Sequence, residues 1–180
     1  MRKSYITNYR TAIRLDPNYA RAYYNLGIAL YNQGNLGEAI TNYRTAIRLD
    51  PNLALAYINL DAALYDQGNL AEAITNLRTA IRLDPNYAGA YIGLGNALKD
   101  QGNLEEAITN YRTAIRLDPN NAGAYIGLGA ISYTQGNFSE AINNYRTSLR
   151  LNQSRNPSER TLMTATQNNL RQAEQRLAEQ

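Results

Sequence analysis

The chain has 180 residues, and its 18 lysines and arginines stand against 15 aspartates and glutamates, for a net charge of +3. It contains no cysteine and no histidine, which excludes disulfide and thiolate chemistry and removes the commonest general base and metal ligand. A net charge this small is typical of a mixed, solvated surface rather than of a dedicated polyanion-binding face. We therefore expect a non-enzymatic protein with no catalytic residue, no cofactor and no metal site.

Membrane association is not expected either. No run of about 18 apolar residues occurs, and the N-terminus lacks the apolar core of a signal peptide. These features predict a cytoplasmic protein without membrane insertion.

One segment recurs along the chain. Close copies of the stretch that begins at Asn35 begin again at Asn69, Asn103 and Asn137, so the period is 34 residues. A fixed period of this length is typical of an array in which each unit buries its apolar face against its neighbours.

The N-terminal segment, residues 1–17, matches only the second half of a unit. Ile6 and Tyr9 stand at the positions that Ile40 and Tyr43 hold one period later. We interpret the segment as the second helix of a truncated unit; the alternative is an array that begins on an unpaired helix. In both cases a bare apolar stripe is expected to find another surface.

Each full unit predicts two helices, which we name A and B. In the first unit Leu26, Gly27 and Leu30 recur at helical spacing and define the packing stripe of helix A. Helix A is expected to end at Gly34, because glycine readily takes the left-handed conformation that follows a helix end. Asn35 should then cap the next helix.

Helix B is predicted from its two ends. Asn35 offers a side-chain oxygen to open amide groups, and Glu38 is expected to reach back to the backbone N–H of Asn35, which forms a capping box. The helix should stop at Asp50, because Pro51 disfavours helix in the residue before it. The same cap recurs at Asn69 and Glu72, Asn103 and Glu106, and Asn137 and Glu140.

This pattern resembles the tetratricopeptide repeat, and it is similar to the arrays of bacterial repeat proteins and of O-linked glycosyltransferases. The resemblance implies an all-α fold, a right-handed superhelical solenoid of antiparallel helix–turn–helix hairpins. The positions that carry it in the first unit are Tyr23-x-x-Leu26-Gly27-x-x-Leu30, Ala39-x-x-x-Tyr43, Ala46 and Pro51. The full copies are 20–53, 54–87, 88–121 and 122–155.

The second unit departs from the pattern at two positions. Asp61 stands where the other units have glycine, and Leu77 replaces the tyrosine seen at Tyr43. A carboxylate between packed helices needs a hydrogen-bond partner, a raised pKa or access to water. We expect the side chain to reach water along the helix edge; a functional role is the alternative.

Residues 156–180 leave the period and predict one further helix. Asn156, Pro157 and Glu159 form a helix start. We expect this helix to cap the last helix B. Alternatively, it docks onto the bare N-terminal helix of a second molecule, and the chain then self-associates.

The resemblance places a ligand in the concave groove that is lined by helix A side chains. Tyrosines and isoleucines are frequent there, which favours a protein or peptide ligand, extended or helical. The alternative is that some of these residues pack between successive A helices. The predicted groove residues are Arg21, Tyr24, Asn25, Ile28, Tyr31, Asn32, Ile58, Asn59, Tyr65, Asp66, Ile92, Asn96, Lys99, Ile126 and Tyr133.

Two subtypes of the family can be compared with this groove. A clamp for a terminal carboxylate is not expected, because the only cations on the wall, Arg21 and Lys99, lie two units apart. The asparagine ladder of glycosyltransferase arrays is half present, in Asn25 and Asn59. We therefore predict a protein-interaction scaffold; the alternative is the substrate-recruiting arm of a larger enzyme such as a glycosyltransferase.

The outer side of every helix B carries two arginines, such as Arg44 and Arg48. A periodic ladder of cations could track a phosphate backbone. Nearby Asp50 and the favourable interaction of cations with helix C-termini indicate instead a solvated, helix-stabilising face. Nucleic acid is therefore not an expected partner.

Overall fold

The computed structural model describes residues 2–152 and 160–179, which form ten α-helices and, over these residues, no strand. The predicted all-α fold of antiparallel hairpins is confirmed. The helices are α1 (Arg2–Leu15), α2 (Ala20–Tyr31), α3 (Leu36–Leu49), α4 (Ala54–Asp66), α5 (Leu70–Leu83), α6 (Ala88–Asp100), α7 (Leu104–Leu117), α8 (Ala122–Thr134), α9 (Phe138–Asn152) and α10 (Arg160–Ala178).

The turn between helices A and B forms as expected. Gly34 adopts a φ of +78°, and its N–H bonds to the carbonyl oxygen of Tyr31 at 2.8 Å. The N–H of Asn35 bonds to the carbonyl oxygen of Leu30 at 3.0 Å. The open carbonyls at the end of α2 are thereby satisfied within the turn itself.

The start of helix B differs from the predicted capping box in one bond. Asn35 Oδ1 accepts from the N–H of Glu38, as expected, at 3.5 Å. The carboxylate of Glu38 accepts from the side-chain amide of Asn35 at 2.7 Å, not from its backbone N–H. The reason is that the backbone N–H of Asn35 is already bonded to Leu30.

The chain divides into two compact units, Met1–Asn86 (unit 1) and Tyr87–Gln180 (unit 2). Unit 1 contains α1 to α5. Alanines of helix B are completely buried in its core: Ala39 and Ala73 are both 0% exposed. Burying this apolar surface drives the hairpins together. Among the described helices of the chain, none is both long and apolar enough to cross a membrane.

Unit 2 holds α6 to α10. Ala173 of α10 is 0% exposed and packs in one cluster with Ala141 and Tyr145 of α9. The predicted helix start at Asn156, Pro157 and Glu159 lies outside the described residues. The limits proposed for the four repeats and the terminal segments remain predictions.

A glycine of helix A lets a tyrosine ring of helix B lie against its backbone. A Cβ atom built on Gly27 would lie 2.5 Å from Tyr43 Cε1, closer than van der Waals contact allows. Gly95 meets Tyr111, and Gly129 meets Tyr145, in the same way, each at 2.7 Å. The small residue is therefore required by the ring.

The second hairpin shows a different packing, and the expectation that Asp61 reaches water is wrong. Asp61 occupies the glycine position and is only 7% exposed. Leu77 stands where the other three full repeats have tyrosine, and it is 0% exposed. Because leucine lacks the ring that excludes a Cβ in the other hairpins, a side chain at position 61 has room inside the hairpin.

Candidate functional site

The predicted groove residues lie on the A helices of both units. Unit 1 contributes those on α2 and α4 and Asn32, directly after α2; unit 2 contributes those on α6 and α8. All of them are described, and none is fully buried: Arg21, Asn32 and Asp66 are exposed and the remainder half-buried. Each side chain therefore keeps some surface for a ligand.

In unit 1 two hydrogen bonds join α2 to α4. Asn59 Nδ2 donates to the hydroxyl oxygen of Tyr24 at 3.0 Å, and the hydroxyl of Tyr31 donates to Asp66 Oδ2 at 2.6 Å. The bond to the Asp66 carboxylate, helped by burial, raises the pKa of Tyr31 to about 12. We name the surface formed by Tyr24, Tyr31, Asn59 and Asp66 the tyrosine face.

The tyrosine face rests on the core of unit 1. The rings of Tyr24 and Tyr43 lie with their centroids 6.3 Å apart and their planes tilted by 50°. Tyr31 and Ile28 also pack against the core cluster while remaining half-buried. These residues thus combine packing with a partly open surface, and the core holds them in place.

In unit 2 the predicted residues interact mainly with their own hairpins. Asn96 Oδ1 accepts from the hydroxyl of Tyr111 at 2.7 Å, and Lys99 Nζ lies 3.0 Å from Asp100 Oδ1. The ring of Tyr133 meets Phe138 edge-on, with centroids 5.4 Å apart. The polar groups of Asn96 and Lys99 therefore already have partners on this face.

Gly127 stands at the position that Asn25 and Asn59 hold in the first two repeats, and this interruption of the asparagine ladder has a steric cause. The ring of Tyr111 lies where a Cβ of residue 127 would have to be, so only glycine fits there. Sequence alone shows the missing asparagine but not the ring that excludes it.

The structure adds a pocket of about 470 Å³ between α1 and α2. It brings together three predicted residues with four that sequence reasoning missed. One signal was available in advance: Tyr5 stands at the position where all four full repeats have alanine. The lining residues are Tyr5, Tyr9, Asn25, Ile28, Ala29, Asn32 and Gln33.

Asp61, inside the second hairpin, has a strongly shifted pKa. Burial, reinforced by the charge of Asp66, raises the pKa of the Asp61 carboxyl to about 7. Its Oδ1 atom is buried and has no hydrogen-bond partner. The carboxyl is thus held mainly in its neutral form below neutral pH.

The outer arginines pair across successive hairpins. Arg10 lies 3.2 Å from the carboxylate of Glu38, and Arg44 lies 2.6 Å from that of Glu72. The capping glutamates therefore have a second role that the sequence did not reveal. These pairs are exposed, so each contributes little to stability, but they leave less free cationic charge for a phosphate backbone.

No group of three or more acidic side chains in the described parts of the chain is arranged to hold a metal ion.

A family model described as "TPR repeat" matches residues 6–34, 29–68, 62–102 and 95–136, and one described as "Tetratricopeptide repeat" matches residues 122–155. No curated protein sequence matches the chain.

Several solved structures are similar. A crystal structure of MamA is 28% identical with a TM-score of 0.76, over 82% of this chain and 86% of that one. YrrB, described as a TPR protein with an unusual peptide-binding site, is 23% identical with a TM-score of 0.70, over 83% and 77%. The APC/C hetero-tetramer Cut9–Hcn1 is 21% identical with a TM-score of 0.88, over 99% of this chain and 34% of that one. At these identities the last two bear on the fold alone.

Proposed function

The chain belongs to the tetratricopeptide-repeat family of protein-interaction scaffolds, and from this premise we propose that it binds a peptide segment of a partner protein along the A-helix surface of unit 1. The observation that carries the proposal is the tyrosine face, where α2 and α4 are joined by two side-chain hydrogen bonds. We further propose that the chain acts by binding rather than by catalysis.

The tyrosine face is preorganised. The bonds of Tyr24 to Asn59 and of Tyr31 to Asp66 hold both phenol rings in one orientation before any ligand arrives. Binding then loses less side-chain entropy than it would on a mobile surface. Tyrosine also supplies a large contact area together with a polar group, which is why it is enriched at binding hot spots.

The polar groups beside the tyrosine face suit a peptide backbone. Asn25 lies on α2 and is half-buried, and Asn32 lies directly after α2 and is exposed. Each amide side chain offers a donor and an acceptor, and so does each peptide group of an extended ligand. Such contacts favour peptides over ligands of high charge.

A peptide array followed by fluorescence-anisotropy titration tests the proposal. The double variant Tyr24→Ala, Tyr31→Ala should lose about tenfold or more in affinity for the array peptides, since two anchoring rings are removed. Tyr19→Ala is the matched control, because Tyr19 is 48% exposed and lies outside the tyrosine face.

Circular dichroism must first show that the double variant keeps its helices. If the folded double variant binds the peptides as tightly as the wild type, the tyrosine face is not the site. The same substitution at Tyr65 on α4 and at Tyr133 on α8 then tests whether residues outside the tyrosine face contribute.

A further inference from the structure

The C-terminal end of α4 carries an acidic residue where other helices of unit 1 carry a basic one. Each of α1, α3 and α5 has an arginine in its last turn, whereas α2 and α4 have no basic residue there. The last residue of α4 is Asp66. The C-terminal end of a helix is the negative end of its dipole, which favours cations. A carboxylate at this position is therefore destabilising unless a cation lies nearby.

The Asp66 carboxylate has no such cation in unit 1. It is exposed, and among the described residues its hydrogen-bond partner is the Tyr31 hydroxyl, which donates to Oδ2 at 2.6 Å. Arg21 lies at the start of α2, about 15 Å from Tyr31 along the helix axis. In unit 2, Asp100 holds the same repeat position and does have a cation, since Lys99 Nζ lies 3.0 Å from its Oδ1. Asp66 can therefore accept further hydrogen bonds from a positively charged group.

A second carboxyl adds to the negative potential beside Asp66. Asp61 is 7% exposed, and its Oδ1 atom is buried without a hydrogen-bond partner. Burial, and then the charge of Asp66, raise the pKa of Asp61. The pKa of Tyr31 is raised mainly by its bond to Asp66 and by burial, and also by the charge of Asp61. Both carboxyls therefore act on the space around the Tyr31 hydroxyl.

We propose that Asp66, Asp61 and Tyr31 form a cation subsite of the peptide-binding site, and that it takes one lysine or arginine side chain of the bound peptide. The inference rests on the proposed function and specifies the ligand for it. Ammonium and guanidinium groups are donors only, and the open carboxylate of Asp66 is an acceptor only. A hydrogen bond between two charged groups is stronger than one between neutral groups.

The tyrosines suit the remainder of a basic side chain. Tyr24 and Tyr31 are both half-buried, so part of each ring is open on the same face as Asp66. The aliphatic stem of lysine or arginine can pack along such a ring while its charged end stays in water. A cation close to the face of a tyrosine ring is also attracted by the ring itself. The rings and the carboxylate thus recognise two parts of one side chain.

The test titrates ¹⁵N-labelled protein with capped peptides of the sequence acetyl-Ser-Leu-X-Leu-Ser-amide. X is lysine, Nε-acetyl-lysine, arginine or citrulline. The caps leave X as the only charged group, and each neutral analogue keeps nearly the shape of its charged counterpart. The titration is done at pH 8, where most of the Asp61 carboxyl is ionised because its pKa is about 7. Chemical-shift changes at the amides of Tyr31, Asn59 and Asp66 report binding.

The lysine and arginine peptides should give saturable shifts and bind about tenfold or more tightly than their neutral analogues. Asp66→Asn should remove most of this preference while leaving the neutral peptides unaffected, because an amide oxygen still accepts from Tyr31. Asp61→Asn should reduce the preference by a smaller factor. Added salt should also reduce it, since the contact with exposed Asp66 is screened. Asp84→Asn is the matched control and should behave as the wild type, because Asp84 is exposed outside the tyrosine face.

Two results overturn the proposal. Equal affinity for the lysine and acetyl-lysine peptides would show that no cation is recognised, and a lysine preference that survives in full in both Asp66→Asn and Asp61→Asn would place the cation elsewhere. The array peptides separate this failure from failure of the proposed function. If folded Asp66→Asn keeps wild-type affinity for lysine-containing array peptides while the Tyr24, Tyr31 double variant loses it, the proposed function stands and the cation subsite falls. Wild-type affinity in both variants refutes both.

Discussion

Removal of the buried Asp61 carboxyl should change how the stability of the protein depends on pH. Asp61 is 7% exposed, and its Oδ1 atom has no hydrogen-bond partner. The titratable groups that act on it are Asp66 on its own helix and Tyr31 on α2, which donates its hydroxyl to Asp66. Neither supplies a positive charge, so nothing here compensates the buried carboxylate.

The magnitude follows from the raised pKa. The value rises from 3.8 to about 7, and each unit corresponds to about 1.4 kcal/mol, so ionising Asp61 in the folded protein costs about 4 kcal/mol. The folded state binds this proton more tightly than the unfolded state. The contribution of the protonated Asp61 carboxyl to the free energy of unfolding is therefore fully present below pH 3.8. It is lost as pH rises towards 7.

Urea denaturation followed by circular dichroism measures the effect. Between pH 5 and pH 8 the wild type should lose about 3 kcal/mol of unfolding free energy through Asp61 alone. The variant Asp61→Asn keeps the shape of the side chain without its titration, so this loss should disappear. The comparison depends on the change with pH rather than on the absolute stability of the variant.

Asp84→Asn is the control, because Asp84 is exposed and its Oδ1 accepts from the N–H of Asn86, which an amide oxygen can also do. The control should keep the wild-type pH dependence. If Asp61→Asn loses as much stability between pH 5 and pH 8 as the wild type does, the account of a buried, unpaired carboxyl is wrong.

Two further predictions concern the packing between helix A and helix B, and both are read from urea denaturation. Gly27→Ala should destabilise the protein by about 1–3 kcal/mol, because its Cβ would meet the Tyr43 ring at 2.5 Å. Gly37→Ala is the control: a Cβ there has no atom within 4 Å, so this substitution should stabilise the protein by about 1 kcal/mol. Equal effects at both positions would contradict the steric argument. Leu77→Tyr should destabilise by a similar amount through a clash with Asp61, and the double variant with Asp61→Gly should recover most of the loss. Additive effects of the two substitutions would show that the residues do not share a space.

Part of the candidate site was predictable from the sequence. The family resemblance assigned Tyr24 and Tyr31 to the groove side of helix A, and the structure places both half-buried on α2. Their hydrogen bonds to Asn59 and Asp66 were not predictable. Those partners lie 35 residues further along the chain, so the bonds depend on how closely α2 and α4 approach.

The sequence by itself determined the hairpins of this protein. Gly34 ends α2, Asn35 begins α3, and Asp50 before Pro51 ends it, because each signal acts through backbone groups within about four residues of itself. Such short-range signals can be recognised without any knowledge of packing.

Only the tertiary structure decided which side chains are buried and which are paired at the contacts between helices. Whether Asp61 reaches water depends on the space at Leu77, and whether the surface around Tyr5 is open depends on which helix covers α1. Both outcomes depend on the space between residues that are distant in sequence. In a closely packed interior, a small change in that space decides whether a side chain fits. The glutamates show the same limit: Glu38 was recognised as a cap, but its ion pair with Arg10 required the neighbouring helix to be in place.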